Sequence, residues 1–187
     1  MHPTGPKPVV IYFCGPIIPP ATTKFRTVLC QAVNMKVPNI KVLMSSSGGS
    51  VEEGLSLYGF IRSLPVDISI HNIGSVDSIA LAVYLGAAKR LANPDATFLM
   101  HDLFFPQPVP ISTRHQAADL SVGLTGARHK MASILKSRTR MNEEQYHALK
   151  YLEEATIKTS TEAQNVGIVH EVNEATATEA ELVNVEY

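Results

Sequence analysis

The stretch Ile40–Glu53, IKVLMSSSGGSVEE, opens on an apolar run and closes on a helix-start signal, with three serines and two glycines in between. A short run of this kind, bounded by small residues, reads as a buried strand over 40–45. Ser50-Val-Glu-Glu53 reads as a capping box, and Leu55, Tyr58 and Ile61 recur at helical spacing, so a helix is expected over 52–64. A strand feeding a helix through a glycine turn is half of a parallel crossover unit, and the same pattern recurs on both sides.

Four further runs read as strands: VVIYFC (9–14), VDISIHN (66–72), ATFLMH (96–101) and VGIVHEV (166–172). Helical patterns cover 22–34 and 78–88. Beyond the fourth strand, FFPQPVP (104–110) is a proline-broken loop. After it, Ala117, Leu120, Leu124, Ala127, Met131, Ile134 and Leu135 keep a 3-4 spacing over five turns, which predicts one long amphipathic helix. Such a helix either packs on its own core or projects to meet another subunit. Asn142–Gln145 and Thr159–Glu162 cap two more helices, and Gly167 ends the second. The expected fold is α/β with mostly parallel strands, in a single domain over 1–187 whose core spans 9–172. The polar segment 173–187 is expected to fray.

Composition agrees. With 187 residues, 45% hydrophobic and 18% charged, the chain can bury a core without a staple. Cys14 and Cys30 form no framework and no CxxC pair, which suits a reducing cytoplasm. Sixteen basic and seventeen acidic side chains give a net charge of −1, too balanced for an electrostatic grip on nucleic acid or an anionic membrane. The run Val9–Phe13 is cut short by Gly15, Pro16, Pro19 and Pro20, so it reads as a strand rather than a secretory leader. Ile79–Ala88 is about half the roughly 20 apolar residues that a spanning helix needs.

Three strand ends carry groups with chemistry. In Ser45–Ser50, two glycines let a ligand approach the backbone, and the helix start offers N–H groups to an oxyanion; a plain tight turn explains the same residues. In Gly74-Ser-Val-Asp-Ser78-Ile-Ala, Ser78 stands where a nucleophile at a strand-to-helix turn would stand, although Ser78 or Asp77 also suits an N-cap. His101 closes the fourth strand, where an imidazole can act as a general base or be an ordinary histidine.

In order and spacing, SSSGGSVEEGLSLYGFIRSL, GSVDSIALAVYLGAAKRLANPDATFLMHD and TSTEAQNVGIVHEV closely resemble the proteolytic subunit of the Clp protease, over about Val9 to Val172. The resemblance implies a ClpP/crotonase-like fold of repeated β-β-α units with a long projecting helix. It implies a serine peptidase, a hydrolase of peptides or unfolded polypeptides, with Ser78 as nucleophile and His101 as base. Backbone N–H groups of Gly49 and Ile79 would hold the oxyanion, and Gly48, Ser50 and Val51 would pair with substrate as an added strand. No cofactor or metal is implied. A homo-oligomeric ring and an AAA+ unfoldase ATPase are the implied partners, in the cytoplasm.

The sequence departs from the family pattern in a few places. Aligning Thr159–Ala163 with the family's Ser-Ala-x-Glu-Ala puts Ala155 where the catalytic aspartate belongs. A one-residue shift would bring Glu154 there instead, beside Glu153. Asp102 follows His101 directly and so points to the other face of the strand. FFPQPVP replaces a glycine-rich strand that pairs with substrate and helps join rings, and about eight residues precede the first strand where the family has its axial segment. A catalytically impaired scaffold is therefore the competing reading, and a crotonase-type acyl-CoA enzyme a third.

Overall fold

The computed structural model describes residues 8–103, 113–148, 155–176 and 181–185. Its first half alternates strand and helix: β1 (Val9–Cys14), α1 (Pro19–Asn34), β2 (Ile40–Ser46), α2 (Val51–Ser63), β3 (Ile68–Val76), α3 (Ala80–Gly86), β4 (Lys89–Ala92) and β5 (Thr97–Met100). Then come α4 (Arg114–Arg138), α5 (Glu143–Ala148), β6 (Thr156–Thr159), α6 (Ser160–Asn165), β7 (Glu171–Val172) and β8 (Glu181–Val185). The sheet runs β6-β5-β3-β2-β1-β8, with β4 beside β3 and β7 beside β4. All pairings are parallel except β5 with β6.

Central strands buried on both faces need apolar side chains at successive positions, and β1 and β2 supply them. Val9, Val10 and Ile11 are buried in β1, and Val42, Leu43 and Met44 in β2. Ile40 sits in register with Val9 on one side and Ile68 on the other. Phe13 of β1 meets Phe25 of α1 at 4.9 Å between ring centroids, which fixes that helix on the sheet.

Several boundaries differ from the sequence expectation. Helix α1 begins at Pro19 because proline at the first helical positions already has helical φ and needs no N–H there. Only half of the Ser50 capping box forms. Ser50 Oγ accepts from Glu53 N–H at 3.3 Å, but the Glu53 carboxylate turns to Thr22 Oγ1 at 2.5 Å and Arg26 Nη1 at 2.9 Å, tying α2 to α1. The Thr22 hydrogen bond, with help from Arg26, holds its carboxyl below the usual range. Of VGIVHEV only Glu171 and Val172 pair as strand, while Ile168 and Val169 fill the core. The terminal segment does not fray throughout: β8 pairs with β1 along five residues, and Val185 is buried.

Helix α4 is capped by Thr113 and Gln116 in a reciprocal box. Its stripe divides. Ala127, Met131, Ile134 and Leu135 pack into the core, whereas the first turns, through Asp119, are exposed. The helix thus docks by its C-terminal half and projects by its N-terminal half. Among the described residues, no helix is long and apolar enough to cross a membrane.

Arg90 gathers three helix ends. Its Nε donates to the Ile168 carbonyl at 2.7 Å, and its Nη2 to those of Arg138 (2.8 Å) and Gly167 (3.1 Å); its Nη1 reaches Ala87 O at 3.4 Å. The Ala87 and Arg138 carbonyls close α3 and α4, where unpaired C=O groups and the negative ends of the helix dipoles collect, and those of Gly167 and Ile168 follow directly on the end of α6. Burial pulls the Arg90 pKa down to about 10, and the neighbouring Arg138 charge adds to the effect.

Candidate active site

On the edge away from β2, β3 serves two neighbours. Ser69–Asn72 pair with β4, and then Ser75 pairs with Thr97 of β5. Asn72 makes the change of partner. Its Nδ2 donates to the Thr97 carbonyl at 2.9 Å, and its Oδ1 accepts from Gly74 N–H at 3.0 Å. Past Val76 the chain leaves the strand, yet the ladder continues. Leu99 N–H donates to Asp77 Oδ1 at 3.1 Å, and Ser78 N–H donates to the Leu99 carbonyl at 2.7 Å. Ser78 is therefore fastened to the residue two before His101, roughly 7 Å away along an extended chain.

Ser78 has φ 55°, one of two non-glycine residues with positive φ among those described. An L-residue there costs on the order of 1 kcal/mol, and a strained strand-to-helix turn of this type is how a nucleophile elbow lifts its hydroxyl out of the backbone. The residue is 9% exposed. Neither Ser78 nor Asp77 is the helix cap. The α3 cap is Ile79, with no side-chain hydrogen bond, and the Asp77 carboxylate is spent on β5.

The glycine turn after β2 lies directly on this serine. Gly48 has φ +86°, and a Cβ there would sit 2.8 Å from Ser78 Cβ, 2.9 Å from Asp77 O and 3.4 Å from Ile79 N. Only glycine permits that approach. Gly49 forms a parallel bridge with Ile17, made by Ile17 N–H to Gly48 O (2.7 Å) and Ser50 N–H to Ile17 O (2.8 Å). A parallel bridge uses the groups flanking one partner, so Gly49's own N–H and C=O point away from Ile17. Ser50 and Val51 are placed differently from the expectation of a free strand edge. The Ser50 N–H is bonded to Ile17, its hydroxyl caps α2, and Val51 is a buried first residue of that helix.

His101 follows β5. Phe98 and Met100 are buried, so Thr97, Leu99 and His101 share the opposite side of the strand. His101 Nδ1 lies 2.7 Å from the main-chain carbonyl of Asp102. The Asp102 carboxylate takes a two-pronged ion pair from Arg128 of α4, Nε to Oδ1 at 3.0 Å and Nη2 to Oδ2. Both carboxylate oxygens are thereby committed to Arg128. The antiparallel pairing ends at Met100 with Thr156, so His101 and Ala155 each lie one residue beyond it. Glu153, Glu154 and FFPQPVP lie outside the described residues.

Sequence reading missed two contributors. Asp77 looked like a cap but fastens the serine turn to β5. Gly54 was read only as part of a helix, yet a Cβ there would meet Ile79 Cγ1 at 2.4 Å, so it lets α2 press against the residue after Ser78. Three glycines at 48, 49 and 54 on one turn and helix were the available signal.

Residues 10–176 match the family model of the Clp protease. Among curated proteins, the chain is similar to ATP-dependent Clp protease proteolytic subunit 3 of Rhizobium etli, 26% identical over 135 residues that cover 71% of this chain and 63% of the relative. The subunit 3 of Rhizobium johnstonii is 27% identical over 134 residues, 71% of this chain and 62% of the relative. The chain thus spans a little under two thirds of the length of these relatives. Among solved structures it is similar to a ClpP1 mutant from Listeria monocytogenes, with a TM-score of 0.76 and 20% identity, covering 90% of this chain and 92% of that one. At that identity the likeness is one of fold.

Proposed function

Because the chain belongs to the Clp protease family, we propose that it is a serine-type endopeptidase that cuts peptides or unfolded polypeptides, with Ser78 as nucleophile and His101 as base. Ser78 Oγ adds to the scissile carbonyl while its proton passes to His101 Nε2. The tetrahedral oxyanion is met by the N–H groups of Gly49 and Ile79, and the imidazolium then gives its proton to the leaving amine. Water repeats the sequence in reverse to free the acyl group. Gly49, whose backbone groups point away from Ile17 in the turn beside Ser78, meets the substrate backbone.

The observation that supports this reading is the double tie of the strained Ser78 turn to Leu99, two residues before His101. A fluorophosphonate reagent tests it. Labelling at Ser78, lost in Ser78→Ala and His101→Ala, is the expected result. Peptide turnover with no modification of Ser78 rejects it. One observation favours a second reading, a scaffold or regulatory subunit with little activity: alignment with the family pattern puts Ala155, one residue before β6, where a carboxylate is expected. No labelling and no turnover would select that reading. Assembly into a homo-oligomeric ring, an AAA+ unfoldase partner and a cytoplasmic setting belong to the same proposal.

A further inference from the structure

We propose that Arg128 and Asp102 form a positioning device for His101, in which the main-chain carbonyl of Asp102 sets the imidazole tautomer. The inference rests on the reading of His101 as the base. In a serine triad the third member does two things: it accepts from Nδ1–H, so that Nε2 carries the lone pair, and it stabilises the imidazolium by its charge. A carbonyl oxygen 2.7 Å from Nδ1 performs the first task, because it can only accept.

For that to work, the peptide plane between Asp102 and Leu103 must not rotate. Both ends are held. On one side the Asp102 carboxylate is gripped at both oxygens by Arg128, a planar fork that fixes direction as well as distance. On the other side the Leu103 side chain is buried at 2% exposure. Arg128 is itself fixed, since Ala127 and Met131 anchor that stretch of α4 in the core. The ion pair is partly exposed, and isolated pairs of this kind contribute little to stability. Its effect falls instead on the orientation of one carbonyl.

The test reads the tautomer, not only turnover. Protein labelled with 15N at histidine is studied by solid-state NMR at about pH 8.5, where an unperturbed imidazole is neutral, and the His101 signal is identified by its loss in His101→Gln. The expected wild-type state is protonated at Nδ1. Arg128→Met should move the population toward Nε2–H by roughly fivefold, the worth of one ordinary hydrogen bond, and lower kcat with KM kept. Arg128→Lys, which keeps the charge but not the fork, should fall between. A wild-type His101 protonated at Nε2 overturns the proposal, as does an unchanged tautomer in both variants. Should Arg128→Met fail to fold, Arg128→Lys decides by the same signal. Absence of wild-type turnover would count against the peptidase reading, while the tautomer measurement would still decide this one.

Discussion

Replacing Gly48 by alanine puts one methyl between the glycine turn and Ser78. That Cβ would lie 2.8 Å from Ser78 Cβ and 2.9 Å from Asp77 O. Ordinary carbon contacts begin near 3.5 Å, so the neighbours must retreat by about 0.7 Å. Neither neighbour is the far end of a flexible side chain, and the backbone has to move. Holding alanine at φ +86° adds strain, and together the terms cost about 2 to 4 kcal/mol. For a domain of this size that lowers Tm by about 4 to 16 °C. The kinetic effect is larger in proportion. A 1 Å misplacement of a reacting group costs about a hundredfold, so a shift of this size predicts a loss of tens-fold in the rate of fluorophosphonate labelling. Labelling is measured at 25 °C by stopped reaction and mass spectrometry, beside a melting curve. A variant that stays folded and labels within twofold of wild type would refute the placement of Gly48 against Ser78.

Ala155→Asp should raise peptide turnover by restoring a carboxylate where the family pattern has one, one residue before β6; since the Asp102 carbonyl already meets Nδ1, the gain should be roughly tenfold to a hundredfold, well below the 10⁴ that the aspartate of an intact triad supplies. Gly59→Ala, at an exposed position of α2 where a Cβ meets nothing within 4 Å, should stabilise by about 0.5 to 1 kcal/mol and raise Tm, leaving the labelling rate unchanged. His71 is buried, donates its Nε2–H to the Asn173 carbonyl across 3.1 Å, and is held below the ordinary histidine pKa by burial and the Lys41 charge. The unfolded chain therefore binds a proton near pH 6.5 that the folded chain refuses, so stability falls as pH drops below that value, by at most about 1.4 kcal/mol per pH unit. His71→Gln should flatten this limb in urea melts between pH 5 and 7.5, and an unaltered slope would show that another group sets it.

The strands that the sequence announces are those buried on both faces, because continuous apolar runs such as VVIYFC leave few alternatives. The strands it conceals each lack that signal for a reason. β4 is four residues, KRLA, directly after the 78–88 helical pattern, and is too short and too mixed in polarity to announce a strand. β6, TIKT, is an edge strand with Ile157 66% exposed, so nothing in its composition asks for burial. β8 is a polar segment recruited by β1, a pairing between residues about 170 apart that no local pattern encodes. The site was legible by residue type and spacing, since Ser78, His101 and the two glycines sit at strand ends. What ties them together was not. Asp77, Asn72 and Gly54 act through contacts that form only once the chain has folded, and the Asp102 carbonyl belongs to the backbone, which sequence does not distinguish from any other.

The gathering of three helix ends on Arg90 has a consequence for how the molecule opens. Neither α3 nor α4 can open at its C-terminus, nor can the chain just past α6, without releasing a carbonyl from the same buried guanidinium. The three termini should therefore exchange their amide hydrogens with solvent as one cooperative unit, at a single opening free energy, rather than fraying independently as helix ends usually do. Because α4 also carries Arg128, such an opening would loosen the seat of His101 from 10 helical positions away.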